Sequence, residues 1–213
     1  SFYLPIIPMV LVNGTKGIAT GFATNILPHN PSDLKKACLQ YIKNGKIQTP
    51  LGIKFPDYTG EVEQSEEDPT KYVSYGTFKR SGKTAVSITE VPYGFDREGY
   101  VKVLDKLEEE GDIVSYEDKC NKDGFHFEVK LKQSSVKWND SKLIAKFKLS
   151  KPFSQNLTVI DFDGKLREYS SAKQLVKDFC DYRNGILQQR IDARVNEFAE
   201  QVRWLNVKME FVQ

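Results

Sequence analysis

Cysteine and histidine are scarce in this chain. Three cysteines (Cys38, Cys120, Cys180) and two histidines (His29, His126) occur in 213 residues. Three widely spaced thiols supply neither a disulfide framework nor a Cys-x-x-Cys pair, so a reducing, cytoplasmic setting is expected. The histidines stand 97 positions apart, with no cysteine or carboxylate cluster at ligand spacing, which argues against a zinc site or a Cys/His nucleophile. No apolar stretch approaches the ~18 residues of a membrane span, and no basic segment followed by an apolar one opens the chain. A membrane partner is therefore not expected. Neither sign of charge dominates, with 31 Lys and Arg against 29 Asp and Glu. Proline stops at Pro152, which leaves the C-terminal part free to form long helix.

What is present is a globular composition, 39% hydrophobic and 28% charged, enough to bury a core of one large domain or two modest ones. The first residue is Ser1, inside an apolar, proline-punctuated run, and reads as a point within a longer protein. The near-neutral total hides an asymmetry. Residues 1–60 carry a net +4 and residues 61–213 a net −2, so the front is the side suited to a polyanion.

Along the chain, residues 1–31 hold a single charged side chain, Lys16, four prolines, and glycines at 14, 17 and 21. Such a segment reads as extended and turning, with its backbone close to something else. Asn30 and Pro31 then mark a helix start, Leu34, Cys38 and Ile42 its apolar face, and Gly45 its end. Tyr58 to Gln64 and Lys71 to Lys79 read as strands, and Arg80 to Lys83 as a turn into Thr84–Glu90. Asp96 caps a second helix running to Gly111, whose last turn, Glu108 to Glu110, opposes the helix dipole and should fray. Strand chemistry returns over 112–168, with Phe125–Leu131 alternating and a hairpin turning at Asp163-Gly164. From Leu187 through Ile191, Val195, Phe198, Val202 and Leu205 to Met209 the apolar residues recur every 3.67 positions, which is helical. A helix over about 171–211 would be roughly 60 Å long and would need a partner helix to cover that stripe.

Two strings imitate catalytic motifs. Ser81-Gly82-Lys83-Thr84 ends like a phosphate-binding loop, but Thr77 stands where the first glycine is required and the string lies between strands, so it reads as a hairpin turn. Asp161-Phe162-Asp163 has the form of a magnesium-binding pair, yet Asp163-Gly164 already has a turn role. The remaining string is Asn13-Gly14-Thr15-Lys16-Gly17-Ile18-Ala19-Thr20-Gly21. One reading makes Ile18 a buried strand residue, as isoleucines usually are. The other makes it an apolar wedge that a slim backbone can push between base pairs of a duplex.

The runs Tyr3-Leu4-Pro5-Ile6-Ile7-Pro8-Met9-Val10-Leu11-Val12-Asn13-Gly14, Gly17 to Ile26 and Pro28-His29-Asn30-Pro31 closely resemble the breakage-reunion region of type IIA DNA topoisomerases. Weaker likeness continues through Gly60-Glu61-Val62, Lys71-Tyr72-Val73 and Ile88 to Pro92 into what looks like the family's tower domain. It extends over Phe179–Arg190 into the start of the coiled-coil arm, and the compact, lysine-rich tower is most like a bacteriophage member's. The resemblance implies an α+β fold: a gate-DNA segment over 1–31, a tower of antiparallel strands and short helices over 32–170, and a long coiled-coil-type helix over 171–213. It implies a wedge role for Ile18 and DNA contacts for Asn13, Thr15, Lys16, Gly17, Thr20, Lys35 and Lys36. It also implies duplex DNA, an ATPase and magnesium-binding subunit or domain, and a second copy of the breakage-reunion subunit as partners. Mg2+ and ATP are expected to bind outside these residues. The family's nucleophilic tyrosine follows an arginine and precedes a threonine, and none of the ten tyrosines here does both. Two readings of other classes compete: an architectural DNA-binding module that bends without cleaving, and an interaction protein whose long helix is its function.

Overall fold

A computed structural model describes residues 3–212. The front of the chain forms α1 (Met9–Asn13), β1 (Thr15–Ala19), β2 (Phe22–Ile26) and α2 (Pro31–Asn44). There follow β3 (Val62–Gln64), β4 (Lys71–Tyr75), β5 (Thr77–Ser81), β6 (Ala85–Glu90), α3 (Arg97–Glu109), β7 (Ile113–Asp118) and β8 (Phe127–Leu131). The chain continues through α4 (Asp140–Lys146), β9 (Ser150–Ser154), β10 (Leu157–Ile160) and β11 (Leu166–Tyr169) into the long α5 (Ala172–Val212). Every strand pair is antiparallel, in the orders β1-β2, β10-β11, β3-β4-β9 and β5-β6-β8-β7. The fold is α+β, with short helices and one long C-terminal helix.

Local signals place most boundaries. Asn30 accepts from the Ser32 amide at 3.0 Å, Pro31 opens α2, and Gly45 closes it in a left-handed conformation at φ 66°. Asp96 accepts from the Gly99 amide at 2.8 Å and so caps α3. Leu34 and Cys38 are buried as the pattern requires, whereas Ile42 is exposed because α2 leaves the core in its last turn. The acidic end of α3 is not isolated. Lys106 lies 3.7 Å and Lys146 of α4 3.9 Å from Glu110, cations that offset the unfavourable dipole.

Four local readings are corrected. Residues 9–13 are a helical turn instead of extended chain, and 15–26 close into a hairpin. Lys71 to Lys79 is not one strand: it breaks at Gly76, whose amide donates to the Leu149 carbonyl at 2.8 Å, and its halves join different sheets. The stretch 112–168 contains α4, capped by Asn139, which accepts from the Lys142 amide at 2.9 Å. Pro152 sits inside β9, an edge strand where no ladder hydrogen bond is required of it.

Gly76 shows why the break is needed. A Cβ there would stand 2.6 Å from the Glu90 carbonyl oxygen and 2.7 Å from a Leu149 methyl. Gly76→Ala should therefore cost about 1–3 kcal/mol by overpacking, read as a lowered urea midpoint with unchanged m-value.

Three apolar clusters hold these elements. The largest packs α3 and α4 on one face of the four-stranded sheet, around Val86, Ile88, Tyr100, Leu104, Phe127 and Phe147. Tyr100 donates its hydroxyl to the Phe147 carbonyl at 2.9 Å, which satisfies a phenol whose burial pushes its pKa up. A second cluster unites the front with the start of α5: Leu11, Ile26, Leu34, Cys38, Val176 and Phe179. The third, smaller one stacks Tyr93 on Phe55 at 3.8 Å beside Leu27 and Tyr72. Beyond about residue 186, α5 leaves every cluster, and Ile191, Val195, Phe198, Val202, Leu205 and Met209 are all exposed.

Candidate nucleic-acid interface

The string read as wedge or core forms the β1–β2 hairpin. Thr15 pairs with Ile26, Lys16 with Asn25, Gly17 with Thr24, Ile18 with Ala23 and Ala19 with Phe22, with Thr20 and Gly21 at the turn. Gly21 takes φ 83°, which a side-chain-bearing residue rarely adopts. At the other end Gly14, at φ 66°, leaves room for the strand to start. A Cβ there would meet the Ile26 carbonyl oxygen at 2.6 Å, so the hairpin base is closed to anything larger.

Ile18 is 87% exposed. Directly opposite is the small Ala23, and Gly17, Ala19 and Gly21 leave its flanks bare, so the side chain stands alone on a slim ribbon. The core reading of Ile18 is thereby corrected: isoleucine propensity favours burial, but the buried end of this hairpin is Ile26, at 3% exposure. Asn13, Thr15, Lys16, Gly17 and Thr20 are exposed with it on the last residue of α1, on β1 and at the turn. Lys35 and Lys36 are not on the hairpin. They occupy the exposed side of α2, whose inner side, Leu34, Ala37 and Cys38, shares a cluster with Leu11 and Ile26 beneath the hairpin.

The β10–β11 hairpin lies alongside the first. Together they frame an open apolar groove of about 680 Å³, whose lining includes Ile18, Phe22, Ile160, Phe162, Leu166 and Phe179. Beneath the front, His29 is 1% exposed and its amide donates to the Leu11 carbonyl at 2.7 Å. Burial pushes its pKa below the usual histidine range, so it is held neutral under the interface and adds no charge to it.

The sequence reading missed Asn25. It exchanges backbone hydrogen bonds with Asn156 at 3.1 and 2.9 Å, its side-chain amide donates to the Ser154 carbonyl, and the Thr24 hydroxyl reaches the Asn156 carbonyl at 3.4 Å. Its only sequence signal was its place in the string Phe22-Ala23-Thr24-Asn25-Ile26, since partners about 130 positions away leave no local trace.

The two imitation motifs are turns. Gly82 takes φ 69° between β5 and β6. Gly164 donates to the Asp161 carbonyl at 2.9 Å, and the Asp161 carboxylate pairs with Arg167 at 3.2 Å. No three His, Cys, Asp or Glu side chains among the described residues converge to hold a metal ion. No helix among them is long and apolar enough to cross a membrane.

Comparison with known proteins agrees along the whole length. The family model for the A-type polypeptide of DNA gyrase/topoisomerase IV matches residues 1–213. The chain is 42% identical to the DNA topoisomerase medium subunit of Enterobacteria phage T4, over 100% of this chain and 48% of that protein. It is 30% identical to DNA topoisomerase 2 of Meyerozyma guilliermondii, over 99% of this chain and 15% of the yeast protein. The crystal structure of the Plasmodium falciparum topoisomerase II DNA-binding, cleavage and re-ligation domain superposes with a TM-score of 0.80 at 27% identity, covering 92% of this chain and 27% of that one. The chain thus spans about half the length of the phage relative and a smaller part of the eukaryotic one. With the exposed hairpin, the antiparallel sheets and the long α5 all in agreement with these matches, the chain belongs to the DNA gyrase/topoisomerase IV family, on the side of its A-type polypeptides.

Proposed function

We propose that this chain is the part of an ATP-dependent type IIA DNA topoisomerase that grips and bends the gate duplex. In this reading residues 1–31 contact the gate DNA, 32–170 form the tower and 171–213 begin the coiled-coil arm, in the cytoplasm of a phage-infected host. The observation that carries it is Ile18, 87% exposed on a two-stranded hairpin at the position the family resemblance gives to the wedge. Exposing a large aliphatic there is a cost to a free protein and an asset only to one that buries it elsewhere. Insertion at a base step costs a few kcal/mol of unstacking, offset by the contacts that bent DNA makes with the protein.

Lys16, Lys35 and Lys36 supply phosphate contacts in this reading, while Asn13, Thr15, Gly17 and Thr20 offer short polar groups and bare backbone to the duplex. Cleavage belongs to a tyrosine outside these residues, Mg2+ and ATP to other parts of the assembly, and the partners are an ATPase subunit or domain and a second copy of the same subunit. The described residues offer no carboxylate cluster for Mg2+, and the loop-like Gly82 string is a turn, so neither group has a seat among them.

The test replaces Lys16, Lys35 and Lys36 by alanine in the full-length protein. Each lost phosphate contact should lower the slope of log affinity against log salt by about 0.9, so a loss of about 2–3 is expected for the three. An unchanged slope would assign the duplex to another face.

A further inference from the structure

A two-stranded hairpin is marginal by itself, and β1–β2 makes no third-strand ladder along β1, all five residues of which are exposed. A wedge on such a ribbon would deflect when pressed against stacked bases. What holds it lies on β2. The backbone of Asn25 pairs reciprocally with Asn156, and its side-chain amide continues past that bridge to the Ser154 carbonyl. Next to it the Leu27 amide donates to the Gln155 side-chain oxygen at 3.0 Å.

The segment 154–156 is itself anchored on two sides. Ser154 ends β9 and pairs with Lys71 of β4, and the Gln155 amide donates to the Thr70 carbonyl at 2.7 Å. Asn156 leads into β10, and its side-chain oxygen accepts from the Thr158 hydroxyl. The three-stranded sheet and the β10–β11 hairpin therefore meet at the one short segment that Asn25 grips.

The geometry points to Asn25 as a positioning residue for the wedge: its amide, locked on the Ser154 carbonyl, fixes the stance of the Ile18 hairpin against the β3-β4-β9 sheet so that docking on DNA bends the duplex instead of the hairpin. This rests on the wedge reading of Ile18. Asn25 stands opposite Lys16, one pair removed from the Gly17–Thr24 pair and two from Ile18–Ala23, close enough to set the ribbon's angle without touching an inserted base step. Replacing the amide by a carboxylate removes the donor and sets an acceptor against an acceptor, a stronger perturbation than truncation.

The test uses the full-length protein on a duplex labelled at both ends, reading bend angle by energy transfer alongside affinity, and compares wild type, Ile18→Ala, Asn25→Ala and the double variant. Asn25→Ala should reduce the bent fraction at least three-fold with affinity changed less than two-fold. Asn25→Asp should reduce it further, and Asn25→Gln, which keeps the donor, should recover part of it. Ser154→Ala should bend DNA normally, because the acceptor is a backbone carbonyl. In the double variant the loss should equal that of Ile18→Ala alone, since a positioning residue acts only through what it positions. Hydrogen exchange at the hairpin amides should accelerate in Asn25→Ala while that of the α3 core stays unchanged, which separates a loosened hairpin from a protein that fails to fold. Normal bending by Asn25→Ala, or additive losses in the double variant, would overturn the positioning role while leaving the wedge in place. Normal bending by Ile18→Ala would overturn both, and that single variant shows which of the two readings failed first.

Discussion

Ile18→Ala should leave the protein as stable as wild type and strip it of most of its ability to bend DNA. The side chain is 87% exposed, so truncation opens no cavity and the melting temperature should move by no more than about 1 °C, within the ±0.5 kcal/mol typical of surface changes. A buried isoleucine or leucine would lose about 2–5 kcal/mol on the same change. Affinity should fall little, because phosphate contacts supply most of it. The bent fraction and the rate of DNA cleavage by the full-length protein should each fall about 10-fold or more, since one tenfold step corresponds to only about 1.4 kcal/mol of a wedge contribution made only in the bent state. Early melting with normal bending would return Ile18 to the core reading. Bending lost without any covalent DNA–tyrosine adduct in the wild type would favour the architectural module over the topoisomerase.

The second large effect concerns α5. Its first turns are buried, with Leu175, Val176 and Phe179 in the cluster beneath the front, but the stripe from Ile191 to Met209 has no cover among the described residues. Ile191 is 56% and Phe198 51% exposed, and their spacing of seven places them on one side of the helix. Stripes of this length associate with a matching helix or aggregate. Placing Asp at both positions in the full-length protein should therefore break the assembly, seen as a loss of mass in light scattering, while the isolated 213-residue chain keeps its melting temperature. The contrast between the two is diagnostic: a loss of stability in both would mean the stripe serves the fold of this chain, and a normal assembly would mean that the stripe faces solvent.

How far the sequence reaches can be judged residue by residue. The caps at Asn30 and Asp96, the turn glycines at 45, 82 and 164, the hairpin at Asp163-Gly164 and the 3.67-residue period of α5 were all legible, and the structure has them where the pattern placed them. Each is decided within about four residues by a side chain bonding its own backbone, by a dihedral angle only glycine reaches easily, or by the pitch of the helix. The family string was legible for a different reason, being a long run of particular residues.

Tertiary structure alone decided the rest. Nothing local distinguishes an exposed Ile18 from a buried one; the outcome depends on Ala23 lying opposite and on Ile26 taking the place in the core beside Leu11 and Leu34. The break at Gly76 is imposed by Glu90 and Leu149, 14 and 73 positions on, and a run such as Lys71–Lys79 cannot show that its halves will be claimed by different sheets. Asn25 looked like one more polar strand residue until Ser154 and Asn156 came beside it across about 130 positions of chain. Burial and long-range hydrogen bonding depend on which distant segments the packing brings together, and that choice is made by the whole core at once. The sequence thus determined the elements and the family, while the packing determined which residue stands free to meet DNA and which one holds it there.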